Sequence, residues 1–261
     1  MLVDTHTHYD HKQFNSCREE YLKRIKEIGV QKVVNPAIAF ESNDRMRVLF
    51  EDYDWIYYGV GIHPNCVCSE NGMSDIQKIN ELKRLMVHPK VVAVGETGLD
   101  YYRCSGEAEK ETQRIWFHRH ISLAMEYNLP LILHVRGEGA DDEVIRILKE
   151  YSLRSEPGVV HCFRGNRKLA ESYLEMGFLL GIGGSITYQE EQTLRETVKQ
   201  IPLNKILLET DCPFIKPQGC LEKRNSSLAL LLIADEISKE KLLDSEMVIR
   251  VTGENAQRLY F

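Results

Sequence analysis

The sequence predicts an α/β protein, a (β/α)8 TIM barrel built as a single domain from residues 1–261. Three observations carry that prediction. Short apolar runs recur along the chain and alternate with segments of helical periodicity, the pattern of a parallel sheet covered by helices. Eight such runs occur, the number that closes a barrel. Several of them stop on a histidine or a carboxylate, the residue types that ligate metals. With 261 residues, 43% hydrophobic and 28% charged, the chain supports one large core, and barrels of this length are ordinarily one domain. No low-complexity segment, Gly/Ser linker or short-period repeat interrupts it.

Taken in order, the strands are expected at residues 2–4, 32–35, 56–61, 91–95, 131–135, 159–162, 178–181 and 205–208. Between Glu107 and Asn128 the apolar residues Phe117, Ile121, Ala124 and Met125 recur at helical spacing, and Ile145 with Leu148 does so before Tyr151. A further helix over residues 228–237 is apolar almost all round and is expected to close the barrel after the last strand. These stripes read as core packing.

The first run ends in Val3-Asp4-Thr5-His6-Thr7-His8. Side chains two apart on a strand face the same way, so His6 and His8 can grip one ion. An isolated pair of this kind is as readily two structural histidines; four further strand ends decide against that here, because Glu96, His134, His161 and Asp211 each follow an apolar run. In a closed barrel such ends converge on one mouth. Four imidazoles with two carboxylates suit Zn²⁺ or Mn²⁺ better than an all-oxygen Mg²⁺ cage. Six ligands exceed one tetrahedral zinc site; two divalent ions bridged by a carboxylate and a water fit the inventory, and such a pair hydrolyses phosphodiesters and amides. His88, His118 and His120 are assigned to surface or packing. His11, on the loop after the first strand, reads as a solvated loop residue within reach of a substrate.

In order along the chain, Asp4-Thr5-His6-Thr7-His8, Gly61-Ile62-His63-Pro64, residues 95–103 (GETGLDYYR), Gln113-Arg114, His134-Val135-Arg136, His161-Cys162-Phe163, residues 209–213 (ETDCP) and residues 255–259 (NAQRL) span it end to end. Together they resemble the TatD family of metal-dependent deoxyribonucleases, within the amidohydrolase-like barrels. The resemblance implies one metal on His6, His8, Glu96 and Asp211 and a second on Glu96, His134 and His161, with Glu96 bridging and the identity of the ions (Mg, Mn or Zn) open. Glu96 stands where other amidohydrolase-like relatives place a carboxylated lysine. Asp211 would accept the proton of an attacking water, and His63 would stabilise charge on phosphoryl oxygens. For His63 a purely structural role in the Gly-x-His-Pro turn is the alternative.

A net charge of −6 and a pI near 5.9 exclude broad, sequence-independent attraction to nucleic acid. Yet Arg103, Arg136, Arg164, Arg167, Lys168, Lys216, Lys223 and Arg224 all fall in expected loops after strands, and a substrate meets the local field. Arg103, Arg136, Arg164 and Arg224 are the expected substrate contacts. A small positive mouth suits the end of a single DNA strand, and exonuclease action is expected; an amide, ester or aminoacyl-tRNA hydrolase on the same metal site is the alternative. Two positions depart from the family pattern. Residues 223–227 (KRNSS) stand where relatives commonly read Arg-Asn-Glu-Pro, a change expected at the rim, and Arg164 replaces a small residue. Seven cysteines without paired C-x-x-C spacing read as free thiols, with Cys66 and Cys68 in a loop and Cys162 and Cys212 packed outward beneath the helices. No window approaches the ~20 apolar residues of a membrane span, and Asp4 falls where a secretory signal is apolar, so a cytoplasmic location without membrane partners is expected.

Overall fold

The computed structural model of the protein describes residues 1–68 and 72–261. Eight strands, β1 (Leu2–Asp4), β2 (Val30–Pro36), β3 (Ile56–Val60), β4 (Val91–Asp100), β5 (Leu131–Arg136), β6 (Gly158–Val160), β7 (Leu179–Ile182) and β8 (Ile206–Leu208), form one sheet in sequential order. Every neighbouring pair is parallel. The connections carry α1 (Arg18–Glu27), α2 (Ser42–Leu49), α3 (Asp75–Met86), α4 (Glu107–Tyr127), α5 (Ala140–Leu148), α6 (Arg167–Glu175) and α7 (Gln192–Gln200), followed after β8 by α8 (Leu230–Lys241) and α9 (Ser245–Tyr260). This is the (β/α)8 barrel.

Local signals fix the helix ends. Ser74 and Gln77 form a reciprocal capping box at the start of α3, satisfying backbone donors that a helix start leaves open. Helix α4 stops where Asn128 turns left-handed at φ 52°, a conformation that asparagine tolerates and most residues do not.

Strand alternation divides the core into two layers. Val3, Val34, Val92, Ala93, Ile132, Val159, Leu179 and Leu207 pack together inside the barrel, whereas Leu131, Leu133, Val160, Leu180, Ile206 and Leu208 belong to the larger cluster beneath the helices. The inner layer predicts what comes next along each strand. His134 is two residues beyond Ile132, His161 two beyond Val159 and Glu209 two beyond Leu207, so all three share the inward parity. At the opposite end Ala256, Leu259 and Tyr260 of α9 join the inner layer and plug the barrel. Gly253 makes that docking possible, since a Cβ there would lie 2.0 Å from the Met1 carbonyl oxygen.

Three expectations are corrected. Strand β4 continues past residue 95 to Asp100, because residues 97–100 pair with residues 133–136 after a register shift; Gly98 is required there, at φ +132°, where a Cβ would meet the His134 carbonyl at 2.2 Å. Helix α8 is not covered all round, for Leu231 and Leu232 are about two-fifths exposed, and α9 supplies the plug. Cys162 is not on a strand: β6 ends at Val160, and Cys162 turns left-handed at φ 48° and lines a cavity at the mouth. Cys212 is fully buried in the outer cluster, and the seven cysteines are free thiols.

His118 and His120 take the packing roles expected of them. His118 is bonded to the Tyr151 hydroxyl at 2.6 Å. His120 is fully buried; its Nδ1–H donates to the Trp116 carbonyl at 2.8 Å and its Nε2 accepts the Ile62 N–H at 3.1 Å. Burial lowers its pKa to about 4, against the favourable bond to Trp116, from the ~6.5 of an unfolded chain. The unfolded state takes up the proton first. Stability from neutral His120 is therefore present above pH ~6.5 and is lost as the pH falls toward 4, a change of about 3 kcal/mol. Urea unfolding between pH 7.5 and 4 is expected to show a fall in the wild type that is shallower by about that amount in His120→Gln; equal slopes would remove this assignment.

Candidate metal centre

Beyond Asp4 the chain runs alongside the segment that follows β8. Thr5 N–H donates to the Leu208 carbonyl at 3.1 Å, Asp211 N–H to the His6 carbonyl at 2.9 Å and His8 N–H to the Cys212 carbonyl at 2.7 Å. This lacing sets His6 and His8, both buried, beside Asp211. Strand β4 delivers buried Glu96 to the same point. The Nε2 atoms of His6 and His8 are 3.2 Å apart. His6 Nε2 lies 3.4 Å from Glu96 Oε2 and 3.8 Å from Asp211 Oδ1, and His8 Nε2 lies 3.6 and 3.3 Å from the same two oxygens. Ligands about 2.0–2.2 Å from a tetrahedral ion stand about 3.3–3.6 Å from one another. The four donors fit such an ion.

The other carboxylate oxygen of Glu96 faces a second group. Glu96 Oε1 is 2.9 Å from His134 Nδ1 and 3.8 Å from His161 Nε2, and one donor atom from each of the three lies within 4.8 Å of the others. Asp211 Oδ2 is 4.0 Å from His161 Nε2. All six predicted residues thus meet at the C-terminal mouth of the barrel. Crowding of imidazoles is otherwise hard to account for: His6 stacks on His161 with ring centroids 3.5 Å apart, and the buried Nδ1 atoms of His6 and His8 have no hydrogen-bond partner.

Charges in this cluster push one another. Against its burial, Glu96 is held well below the usual carboxylate range by the imidazoles packed around it, His6 and His63 first, and by a hydrogen bond from His134. Burial opposes charge on His161 too, yet the neighbouring Glu209 and Asp211 raise its pKa to about 10. His63 goes the other way, lowered to about 3 by burial and by His134. It is neutral at pH 7. Its Nδ1 accepts the Asn65 N–H at 3.1 Å, so the proton sits on Nε2, 3.7 Å from Glu96 Oε1 at the mouth.

Sequence reasoning missed the residues that hold the imidazoles. Asp100 Oδ2 lies 3.2 Å from His134 Nε2 and accepts from Asn65 Nδ2 at 2.8 Å, while the Asp100 N–H is held by Gln113. Glu209 Oε1 accepts the Cys162 N–H at 2.6 Å and sits 3.0 Å from His161 Nδ1, off the direction of a hydrogen bond. A carboxylate bonded to the other nitrogen of a ligating imidazole fixes its orientation, the position Asp100 takes toward His134, while Glu209 stands beside His161 as a neighbouring charge. The available signal was parity: Glu209 follows Leu207 by two, and Gly181 on β7 leaves it room, because a Cβ there would lie 2.1 Å from Glu209 Oε2.

Arg103 and Arg136 line a mouth cavity of about 470 Å³ together with His8, His63, Glu96, His134, His161 and Asp211. Arg136 stacks on Tyr102 at 4.2 Å. Arg164 lines an adjoining chamber and pairs with Glu191. Arg224 is the exception among the expected contacts: its guanidinium lies over Phe14 and donates to Cys17 Sγ at 2.8 Å. It is engaged below the rim. Arg167 is tied to Glu171 and Gln200, and Lys216 to the Glu222 carbonyl. His11 caps a short 3-10 turn and packs edge-on against Phe214.

The family described as TatD-related DNase matches residues 3–261. The chain belongs to the TatD-related family. Its sequence is 36% identical over 260 residues to a metal-dependent hydrolase of Bacillus subtilis named YabD, covering all of this chain and 99% of that one. It is 36% identical over 218 residues to YjjV of Escherichia coli, also named a metal-dependent hydrolase, covering 84% of this chain and 82% of that one. The crystal structure of Escherichia coli YjjV superposes with a TM-score of 0.88 at 30% identity, covering 99% of this chain and 97% of that one. A lactonase from Deinococcus radiodurans, 13% identical with a TM-score of 0.68, shares the fold. Among the described residues no helix is long and apolar enough to cross a membrane.

In this TatD-related chain the departing segment at residues 223–227 turns inward after its exposed Lys223. Asn225, Ser226 and Ser227 are buried. Asn225 Nδ2 donates to the carbonyls of Thr210 and Phe214, and Ser227 Oγ donates to Asp4 Oδ2 at 2.6 Å while accepting from the Tyr9 hydroxyl at 2.9 Å. Asp4, whose pKa burial raises to about 7 against its hydrogen bonds, also accepts from Thr210 N–H at 3.0 Å and Thr210 Oγ1 at 2.7 Å. Ser227 thus braces the seam beneath the candidate metal centre, while Ser226 caps the turn that follows by accepting the Leu228 N–H. Ser227→Ala, which leaves a buried carboxylate short of a donor, is expected to cost about 1–3 kcal/mol in thermal or urea unfolding; an unchanged midpoint would show that this bond is not structural.

Proposed function

We propose that this chain is a divalent-metal-dependent hydrolase that cleaves phosphodiester bonds of DNA and removes nucleotides from single-stranded ends. The observation that carries it is Glu96, which turns one oxygen to His6, His8 and Asp211 and the other to His134 and His161 inside an arginine-lined mouth. Bound at these donors, two ions (Mg, Mn or Zn) would lower the pKa of a shared water toward ~7 and take up charge on a phosphoryl oxygen.

The chain's own groups do the rest. Asp211 is held below the ordinary carboxylate range, since the neighbouring His161 and the bond from His8 outweigh its burial. It accepts the water proton as the new oxygen–phosphorus bond forms and returns it to the sugar oxygen as the bond between that oxygen and phosphorus breaks. Neutral His63 keeps its proton on Nε2 and donates it in a hydrogen bond to a nonbridging oxygen as charge grows there. His120, by fixing Ile62, holds His63 in place. Arg103 and Arg136 draw the phosphate of a strand end into a mouth too small for a duplex footprint. Net charge of −6 makes distant attraction weak, so affinity is expected to be local and the linear end preferred.

Digestion of end-labelled linear single-stranded DNA with Mg²⁺, Mn²⁺ or Zn²⁺ tests this directly. The wild type is expected to shorten the strand stepwise and to spare circular single-stranded DNA. Asp211→Asn at equal metal content is expected to lose about 10²–10⁴-fold in rate. Fully metallated wild type that cleaves neither substrate would sink the reading and redirect the search to amide, ester and aminoacyl-tRNA substrates. His63→Gln separates its two roles: lost turnover with metal content and melting unchanged marks contact with the reacting phosphate, whereas metal loss or aggregation marks a structural histidine.

A further inference from the structure

Beside the central mouth lies a second chamber of about 320 Å³ that shares His134, Arg136, His161, Asp211 and Ile215 with it. Its remaining walls differ in chemistry. Val135, Val160, Phe163 and Leu169 give it an apolar side, Asp141 a carboxylate and Arg164 a cation. None of these last three side-chain features is a metal-facing group.

Arg164 does not swing freely. It pairs with Glu191, which lies just before α7 and is itself about nine-tenths buried. The loop that carries Glu191 is fastened by Arg195, whose guanidinium donates to the carbonyls of Ile186, Tyr188 and Gln189. The ion pair therefore ties the loop after β6 to a fixed loop after β7 and makes Arg164 a set wall. Charge-assisted pairing of a guanidinium with a carboxylate gives such a wall a defined geometry.

Asp141 decides what the chamber accepts. Its Oδ1 accepts a hydrogen bond from the Tyr173 hydroxyl at 2.8 Å, which fixes the carboxylate and leaves lone pairs of the second oxygen for a ligand donor. A carboxylate repels a phosphate but accepts from amino and hydroxyl groups. The apolar side offers a surface for a flat ring. Arg136, shared between the two cavities, stands where the phosphate would join them.

We infer that this chamber holds the sugar and base of the terminal nucleotide while its phosphodiester lies at the metal-facing donors, and that the Arg164–Glu191 pair ends the chamber so that one nucleotide fits. This rests on the phosphodiesterase reading above and adds to it the unit that is released. An amino-bearing base, offering a donor to Asp141, is favoured over one without.

Product sizing with a uniformly labelled linear single strand tests it, alongside inhibition by deoxynucleoside monophosphates and by inorganic phosphate. Wild type is expected to release mononucleotides. Glu191→Gln, which keeps the size of the side chain, and Arg164→Ser should raise the share of di- and trinucleotides about tenfold. Asp141→Asn should weaken inhibition by dAMP about tenfold, the scale of one hydrogen bond, with inhibition by phosphate unchanged. Melting curves show which variants are folded, and Glu191→Gln stands if Arg164→Ser does not. Wild type that digests DNA with the same product sizes and dAMP inhibition as folded variants overturns the inference alone. Wild type that digests no DNA overturns the phosphodiesterase reading and this inference with it.

Discussion

The seam between the first and eighth strands is the constraint on which the rest depends. Strands β1 and β8 are only three residues long each, too short to close a barrel firmly by their own pairing. Closure is completed beyond them, by backbone bonds from Thr5, His8 and Asp211 that cross the seam. Those same residues are, or adjoin, the candidate metal ligands. Closing the barrel and assembling one half of the metal centre are therefore the same event. Asp4 reinforces it from beneath with bonds to Thr210 and Ser227.

Around that seam the protein buries more charge than a stable core would choose. Asp4, Glu96 and Glu209 are each nearly inaccessible, and burial of a carboxylate is costly unless partners compensate. Glu96 is compensated by imidazoles, Asp4 by two side chains, Thr210 and Ser227, and by the backbone. Asp100 and Glu209 act on His134 and His161 from opposite sides, so the histidines are set between carboxylates of the mouth and carboxylates behind it. This placement makes the cluster both a candidate set of ligands and an electrostatically balanced unit. Acidic overall composition and a cationic rim are then compatible, because they concern different distances from the site.

Much of this was legible in the residues. The eight strand positions and the family follow from short apolar runs that end on polar residues. Parity with the buried inner layer accounts for His134 and His161, two beyond Ile132 and Val159, whereas His6 and His8 lie past the end of β1 and are read from residue type and motif. What the pattern hid was local geometry. Strand β4 outran its apolar run because Gly98 lets the backbone approach His134, and Cys162 left its strand through a left-handed turn. Neither event has a hydrophobic signature. Arg224 looked like a rim cation because it follows a strand; an aromatic face and a thiol from the first loop take it instead.

The sequence by itself determined the fold class, the family and the inventory of groups for the metal centre, because periodicity and residue type are one-dimensional properties that burial enforces. Tertiary structure alone decided how Glu96 divides its two oxygens, which proton His63 keeps, that Ser227 braces Asp4, and that Arg164 is pinned by Glu191. Each of these is a contact between residues far apart in the chain. Distances of about 3 Å across a closed barrel depend on where every strand ends, and no spacing along the sequence encodes them.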